Sequence, residues 1–266
     1  MSTLRLLIDA GNTRIKWTLV DARASAHDVA QSAAVSACVH RETGWHQTLV
    51  DDWERALNGR TNLASAWLAN VAGDTVAAPL QAALAQLAPH AELRPLSPAA
   101  QAAGIVNGYA EPDRLGVDRW LSALGARALY PEETLLVVSL GTATTIDAVI
   151  GERFDGGVIL PGLDLMRAAL AANTAQLPHP EAAAQAGIGF AGNTDDAIRN
   201  GCTLAQVGAI ATAWQQLQQQ APQRSRRCII SGGAAAAPAP LLPLPSSRHD
   251  HLVLAGIQAL ANDAGA

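Results

Sequence analysis

Lysine is almost absent from this chain: of its 18 basic residues 17 are arginine, and the one lysine is Lys16. Acids outnumber bases, 23 to 18, for a formal net charge of -5. The only cationic cluster is Arg224, Arg226 and Arg227, so no basic field exists to hold a phosphate backbone, and no nucleic-acid partner is expected. Cysteine is scarce too. Cys38, Cys202 and Cys228 are odd in number, far apart and form no CxxC, which argues against a disulfide framework or a zinc site and suits small buried thiols in a reducing cytosol. Long apolar runs are also missing: the first stops at Asp9, and none approaches the roughly 18 residues a membrane span needs. A cytoplasmic protein with no membrane partner is expected. What remains is a 266-residue chain, 49% hydrophobic and 15% charged, the composition of a globular protein with room for a sizeable core.

Residues 4–9 read as a short buried strand, and residues 14–20 alternate Ile15, Trp17 and Leu19 against Arg14, Lys16 and Thr18, the period of a half-buried strand. A tight turn, Ala10-Gly11-Asn12-Thr13, joins them. Asp74 is the expected N-cap of a helix with Val76, Leu80, Leu84 and Leu87 on one face, and a second helix is expected over Val117–Leu129. Strand character returns at residues 135–140 and 145–150 around a second small-residue turn, Gly141-Thr142-Ala143-Thr144. Superposing the two segments sets Asp9 on Ser139, Gly11 on Gly141 and Asn12 on Thr142, about half the chain apart. A long unit repeated once predicts two similar α/β domains and argues against a solenoid. Further helices are expected over residues 195–219, opening after Thr194, and 252–262, with a strand at 228–231 and a surface loop at 238–245.

The Walker phosphate loop is absent, so a phosphate site must be built in another way. One GxGxxG occurs at residues 187–192, but it follows an alanine-rich segment instead of a strand and has no acid about 20 residues on; it reads as a chance match. The turn after Asp9 has two readings. It is an ordinary hairpin turn favoured by Gly and Asn, or a cradle in which Gly11 admits a ligand to the backbone, turn amides hold phosphate oxygens and Asp9 holds a metal. A second such turn in the other half favours the cradle, and Lys16 is either a compact point charge suited to polyphosphate or an ordinary exposed strand residue. The stretch from Gly108 to Arg119 gathers acids, arginines and Tyr109 where a loop becomes a helix. Asp118 there is either a helix-capping residue or an acceptor for a hydroxyl proton, and Arg119 suits a substrate carboxylate.

Taken in order, DAGNT with Lys16, LGVDR, GTATT and ISGG resemble the motifs of the type III pantothenate kinase family, part of the acetate kinase, sugar kinase, Hsp70 and actin superfold. GGVILPG, TAQLP and GNTDDAIRNG match further family segments, so the resemblance spans nearly the whole chain. It implies two ribonuclease H-like α/β domains facing across a nucleotide cleft, residues 1–115 and 116–266, with the closing helix packing back on the first. It also implies ATP-dependent phosphorylation of pantothenate, the first step toward coenzyme A. By position Asp118 is then the base, and Tyr109, Gly116, Val117, Asp118, Arg119 and Thr194 contact pantothenate. Asp9, Ala10, Gly11, Asn12, Thr13, Arg14, Ile15 and Lys16 with Thr142 hold ATP, and Mg²⁺ comes with the nucleotide near Asp9. Thr194 has a second reading as a helix N-cap. A homodimer is implied, as is a monovalent cation, K⁺ or NH₄⁺, although its usual Asp is Ser139 here. Two alternatives stand beside this: an accessory or regulatory protein of the family that has lost catalysis, and a sugar kinase of the same superfold.

Overall fold

The computed structural model describes residues 3–181 and 187–265. It divides into two compact units, Met1–Pro131 with His251–Ala266, and Glu132–Asp250. In the first unit β1 (Leu4–Ala10) and β2 (Arg14–Asp21) are followed by α1 (Ala26–Ala30), β3 (Ser36–Val39), α2 (Trp45–Leu57), β4 (Leu63–Asn70), α3 (Asp74–Leu87) and β5 (Glu92–Pro95). A short hairpin of β6 (Gln101–Ala102) and β7 (Ile105–Asn107) then leads to α4 (Val117–Leu129). The second unit holds β8 (Thr134–Leu140), β9 (Ala143–Ile150), β10 (Arg153–Pro161), α5 (Leu163–Asn173), α6 (Thr194–Gln220), β11 (Arg226–Ser231) and β12 (Ser246–Arg248). Finally α7 (Leu252–Asp263) returns to the first unit. No helix among the described residues is long and apolar enough to cross a membrane.

The first sheet runs β3-β2-β1-β4-β5, and the strands of the second unit run β12-β11-β8-β9-β10. Numbered within each unit, the order is the same. The first strand pairs antiparallel with the second and the second with the third, while the fourth lies parallel beside the first and the fifth parallel beside the fourth. The repeat read from two turns is thus a repeat of the whole five-stranded topology. The two hairpins differ by one residue: Ala10 pairs with Ile15 around four loop residues, whereas Leu140 pairs with Thr144 around three.

Strand β1 is apolar on both faces because it is central. Leu6 and Ile8 join a core with Trp17, Leu49, Trp53, Leu80 and Leu84, and Leu7, on the opposite face, is also fully buried. The alternation predicted for β2 holds at Ile15 and Trp17 and fails at Thr18, whose buried hydroxyl donates to the Ala34 carbonyl. The N-cap of α3 is Gly73, not Asp74: the backbone there turns to φ +84°, which favours glycine, and Asp74 instead puts its charge at the positive end of the helix. Residues 239–241 form a 3-10 turn, and the surrounding loop is not purely a connector, since Leu242 and Leu244 pack on the second unit's core.

The expected boundary at 115/116 precedes α4, whereas the division by contacts follows it, because α4 packs on α7 at backbone range. A Cβ on Gly256 would stand 1.9 Å from the Leu121 carbonyl oxygen, and one on Gly125 would stand 2.3 Å from that of Leu252. Gln258 and Asn262 of α7 also donate to the Ala24 carbonyl. No rotamer relieves a clash of backbone against Cβ, so Gly256→Ala must force the two helices apart. It is expected to lower the thermal midpoint by about 5 °C or more, the scale of overpacking in a chain of this size, as a calorimetric scan would show.

Candidate active site

Asp9 sits at the end of β1, directly across the strand pair from Lys16. Burial pushes its carboxyl up to about 6; Lys16 opposes the rise and the charge of Asp118 adds to it. These three residues therefore share one electrostatic neighbourhood within the first unit. Among the other turn residues Asn12 and Arg14 are exposed, Gly11 and Thr13 are half-buried, and the side chains of Ala10 and Ile15 lie in the core, leaving them only backbone atoms to offer a ligand. The Gly11 amide donates to the Arg14 carbonyl at 3.0 Å and closes the turn.

Asp118 is the second residue of α4, after the N-cap Gly116. Its Oδ1 accepts from the Arg119 amide at 2.9 Å, and its other oxygen has no hydrogen-bond partner among the described residues. The capping reading of Asp118 is corrected, since the N-cap is Gly116; Asp118 engages one amide within the first helical turn and leaves its second oxygen open. Gly116 makes this possible, because a Cβ there would stand 2.7 Å from that Oδ1. Arg119 is buried. Its Nη1 donates to the Tyr109 hydroxyl at 2.7 Å, with the guanidinium 5.7 Å from the ring centre. Val117 is buried as well, so backbone is what it has to offer a substrate.

Two residues of this region escaped the sequence reading. Asn107 is buried; its Oδ1 accepts from the Tyr109 amide at 3.0 Å while its Nδ2 donates to the Ala99 and Pro112 carbonyls, which sets the loop that carries Tyr109. The Asn107-Gly108 pair was the available signal, a common turn dipeptide. His40 approaches the Gly11 carbonyl at 2.9 Å, a contact no local pattern announces.

In the second unit three motifs converge on the end of β8. The Gly162 amide donates to the Thr142 carbonyl at 2.9 Å, and a Cβ on Gly162 would lie 2.1 Å from the Gly141 carbonyl oxygen. Gly232, at φ +99°, would set a Cβ 2.2 Å from the Leu140 carbonyl oxygen, and the Ala234 amide donates to the same carbonyl at 3.0 Å. ILPG and ISGG therefore need Gly162 and Gly232 to pack backbone on the turn of GTATT and the end of β8, and Thr142 stays exposed. Ser139 is half-buried in β8, in register with Ser231 and Thr145. Thr194 is exposed as the first residue of α6, and the N-cap is Asn193, whose Oδ1 accepts from the Asp196 amide at 2.9 Å; the capping reading of Thr194 is corrected. The loop over residues 187–192 is tied to α6 through Asn200, which accepts from the Gly187 amide and donates to the Gly189 carbonyl. No described strand leads into it, and the alanine-rich stretch at 182–186 lies outside the described residues. The dinucleotide geometry is not met.

Two solved structures share this fold at 15% identity: a conserved putative Baf family transcriptional activator from Campylobacter jejuni, at a TM-score of 0.58 over 98% of both chains, and a putative 2-dehydro-3-deoxygalactonokinase from Sinorhizobium meliloti, at 0.55 over 97% of this chain and 98% of that one. They share the two-sheet α/β fold of this chain. Sequence relatives carry more. The chain is 44% identical to the type III pantothenate kinase of Cupriavidus taiwanensis, over 98% of this chain and 99% of that one. It is 40% identical to that of Burkholderia thailandensis, over 99% and 100%. The sequence model of that family matches residues 5–216, a span that takes in the turns at Gly11 and Gly141 and the Asp118 helix start, so this chain belongs to the type III pantothenate kinases, which phosphorylate pantothenate for coenzyme A biosynthesis.

Proposed function

We propose that Asp118 takes the proton of the primary hydroxyl of pantothenate as that oxygen attacks the γ-phosphorus of ATP. The bond from the γ-phosphorus to the bridging oxygen breaks as the new P–O bond forms, ADP leaves, and the proton ends on Asp118. One observation carries the reading: a carboxyl fixed through one oxygen at a helix start, with the other oxygen open, and close enough for its charge to act on Asp9. Arg119, braced by Tyr109, takes the pantothenate carboxylate; Gly116 and Val117 contribute backbone, and the Thr194 hydroxyl a further contact. The segment from Asp9 to Lys16 and the exposed Thr142 are assigned to the phosphates of ATP, with Asp9 acting through the metal ion and the others through N–H, O–H or cationic groups.

Among the described residues no cluster of three or more His, Cys, Asp or Glu exists to hold a metal alone. That suits Mg²⁺ delivered with the nucleotide, with Asp9 as its one protein carboxylate, since Mg²⁺ is commonly held by one or two carboxylates plus phosphate oxygens. The ion supplies charge neutralisation at the phosphates when bound. Ser139 offers only a neutral hydroxyl where an Asp would offer full charge to K⁺, so K⁺ activation is expected to be weak and Ser139→Asp to strengthen it. Titrating KCl against activity at constant ionic strength checks this, and tight saturable activation of the wild type that Ser139→Asp leaves unchanged would place the cation elsewhere. A homodimer is supported by the exposed apolar side chains Val158, Ile159, Leu165 and Leu204 of the second unit. A reducing cytoplasm is supported by the three free thiols.

An ADP-release assay run with pantothenate and with a panel of sugars separates the readings. Turnover with pantothenate alone is expected. Turnover with a sugar would make this a sugar kinase, and none with either would favour a regulatory protein.

A further inference from the structure

A side chain outside the hairpin, His40, ties down the first phosphate-type turn. His40 follows directly on β3, whose last residue Val39 pairs with Arg14, so the strand register carries His40 past the start of β2 to the turn itself. Its Nε2 lies 2.9 Å from the Gly11 carbonyl oxygen. A carbonyl only accepts, so Nε2 carries the hydrogen. The ring is half-buried and is met edge-on by Trp45, the first residue of α2, with centroids 6.2 Å apart. Gly11 therefore has both polar backbone groups engaged, its amide by Arg14 and its carbonyl by His40.

The peptide between Gly11 and Asn12 is trans, so the Asn12 N–H points opposite to the Gly11 carbonyl. Holding the carbonyl on His40 thus holds the Asn12 amide facing away from His40. That amide makes no hydrogen bond among the described residues, and Asn12 is exposed. We infer that His40 is a positioning residue for nucleotide binding, which fixes the Gly11 peptide plane so that the Asn12 amide is preset to donate to a phosphate oxygen of ATP. The inference rests on the assignment of this turn to ATP. A peptide free to rotate would have to be ordered each time a nucleotide bound, and a preset donor removes that cost.

His40→Phe keeps a ring against Trp45 and removes the donor, whereas His40→Gln keeps an N–H near the position of Nε2. His40→Phe is expected to lower kcat/KM for ATP about tenfold, the scale of one lost hydrogen bond, with KM for pantothenate changed less than about twofold, and His40→Gln is expected to recover most of the loss. Asn12→Ala, measured alongside, tests the turn itself by removing its exposed side chain. If Asn12→Ala weakens ATP use and His40→Phe does not, the His40 inference is wrong while the turn assignment stands. If neither changes ATP kinetics, the turn assignment has failed and takes the inference with it. A fall in both substrates' parameters with a lowered melting temperature, unrecovered by His40→Gln, would reduce His40 to a structural residue and overturn the inference.

Discussion

Asp118→Asn is expected to slow phosphoryl transfer by about 10²- to 10⁴-fold while pantothenate still binds. The geometry makes this substitution selective. The asparagine Oδ1 still accepts from the Arg119 amide, so the start of α4 keeps its hydrogen bond, and Arg119 keeps its contact with Tyr109. What disappears is the second oxygen as a proton acceptor. Steady-state kinetics with calorimetric titration of pantothenate on the same variant measures both halves, and near wild-type turnover would remove Asp118 from the chemistry.

Asp9→Asn is expected to move activity and stability in opposite directions. Activity falls by about 10²- to 10³-fold, the scale of losing a preorganised group that stabilises phosphate charge, here the carboxylate proposed for the metal. Stability rises at neutral pH, because burial holds the folded carboxyl at about 6, above the usual carboxylate value of 3.8. The native state thus binds the proton more tightly than the unfolded one. The stabilisation this group gives is fully present below about pH 4 and is lost as pH rises through about 6. Denaturant unfolding at pH 4 and pH 8 is expected to show a wild-type decline, on the order of 2 kcal/mol from this group, that is missing in Asp9→Asn. The kcat/KM of the wild type should also fall on acidification with a midpoint near 6 as Asp9 takes a proton. A variant that is both inactive and less stable at pH 8 would contradict this reading.

What the sequence made legible was what repeats or packs locally. The turns after Ala10 and Leu140 share their glycine and small polar residues, and that likeness extends to the same five-stranded order in both units. Helix α4 was bounded correctly because its N-terminal glycine and its apolar periodicity are local. The one-residue difference between the hairpins was hidden, since small polar residues on both sides of a turn allow either register. Asn193 and Thr194 are both good caps side by side, and only the hydrogen bond to the Asp196 amide decides between them. His40 and Asn107 act on residues that no periodicity connects to them. The association of α4 with α7 depends on Gly125 and Gly256, more than 100 residues apart, whose value lies in the backbone approach they permit. Such contacts belong to tertiary packing, where sequence pattern gives no direct signal.

The most direct test of the central claim is proton-coupled ³¹P NMR of the protein incubated with ATP, Mg²⁺ and pantothenate. Transfer to the primary hydroxyl predicts a new phosphomonoester signal split into a triplet by the adjacent CH₂, growing as the γ-phosphate of ATP declines and absent with Asp118→Asn on the same timescale. A doublet, from a secondary alcohol, or a singlet of inorganic phosphate with no ester would contradict it.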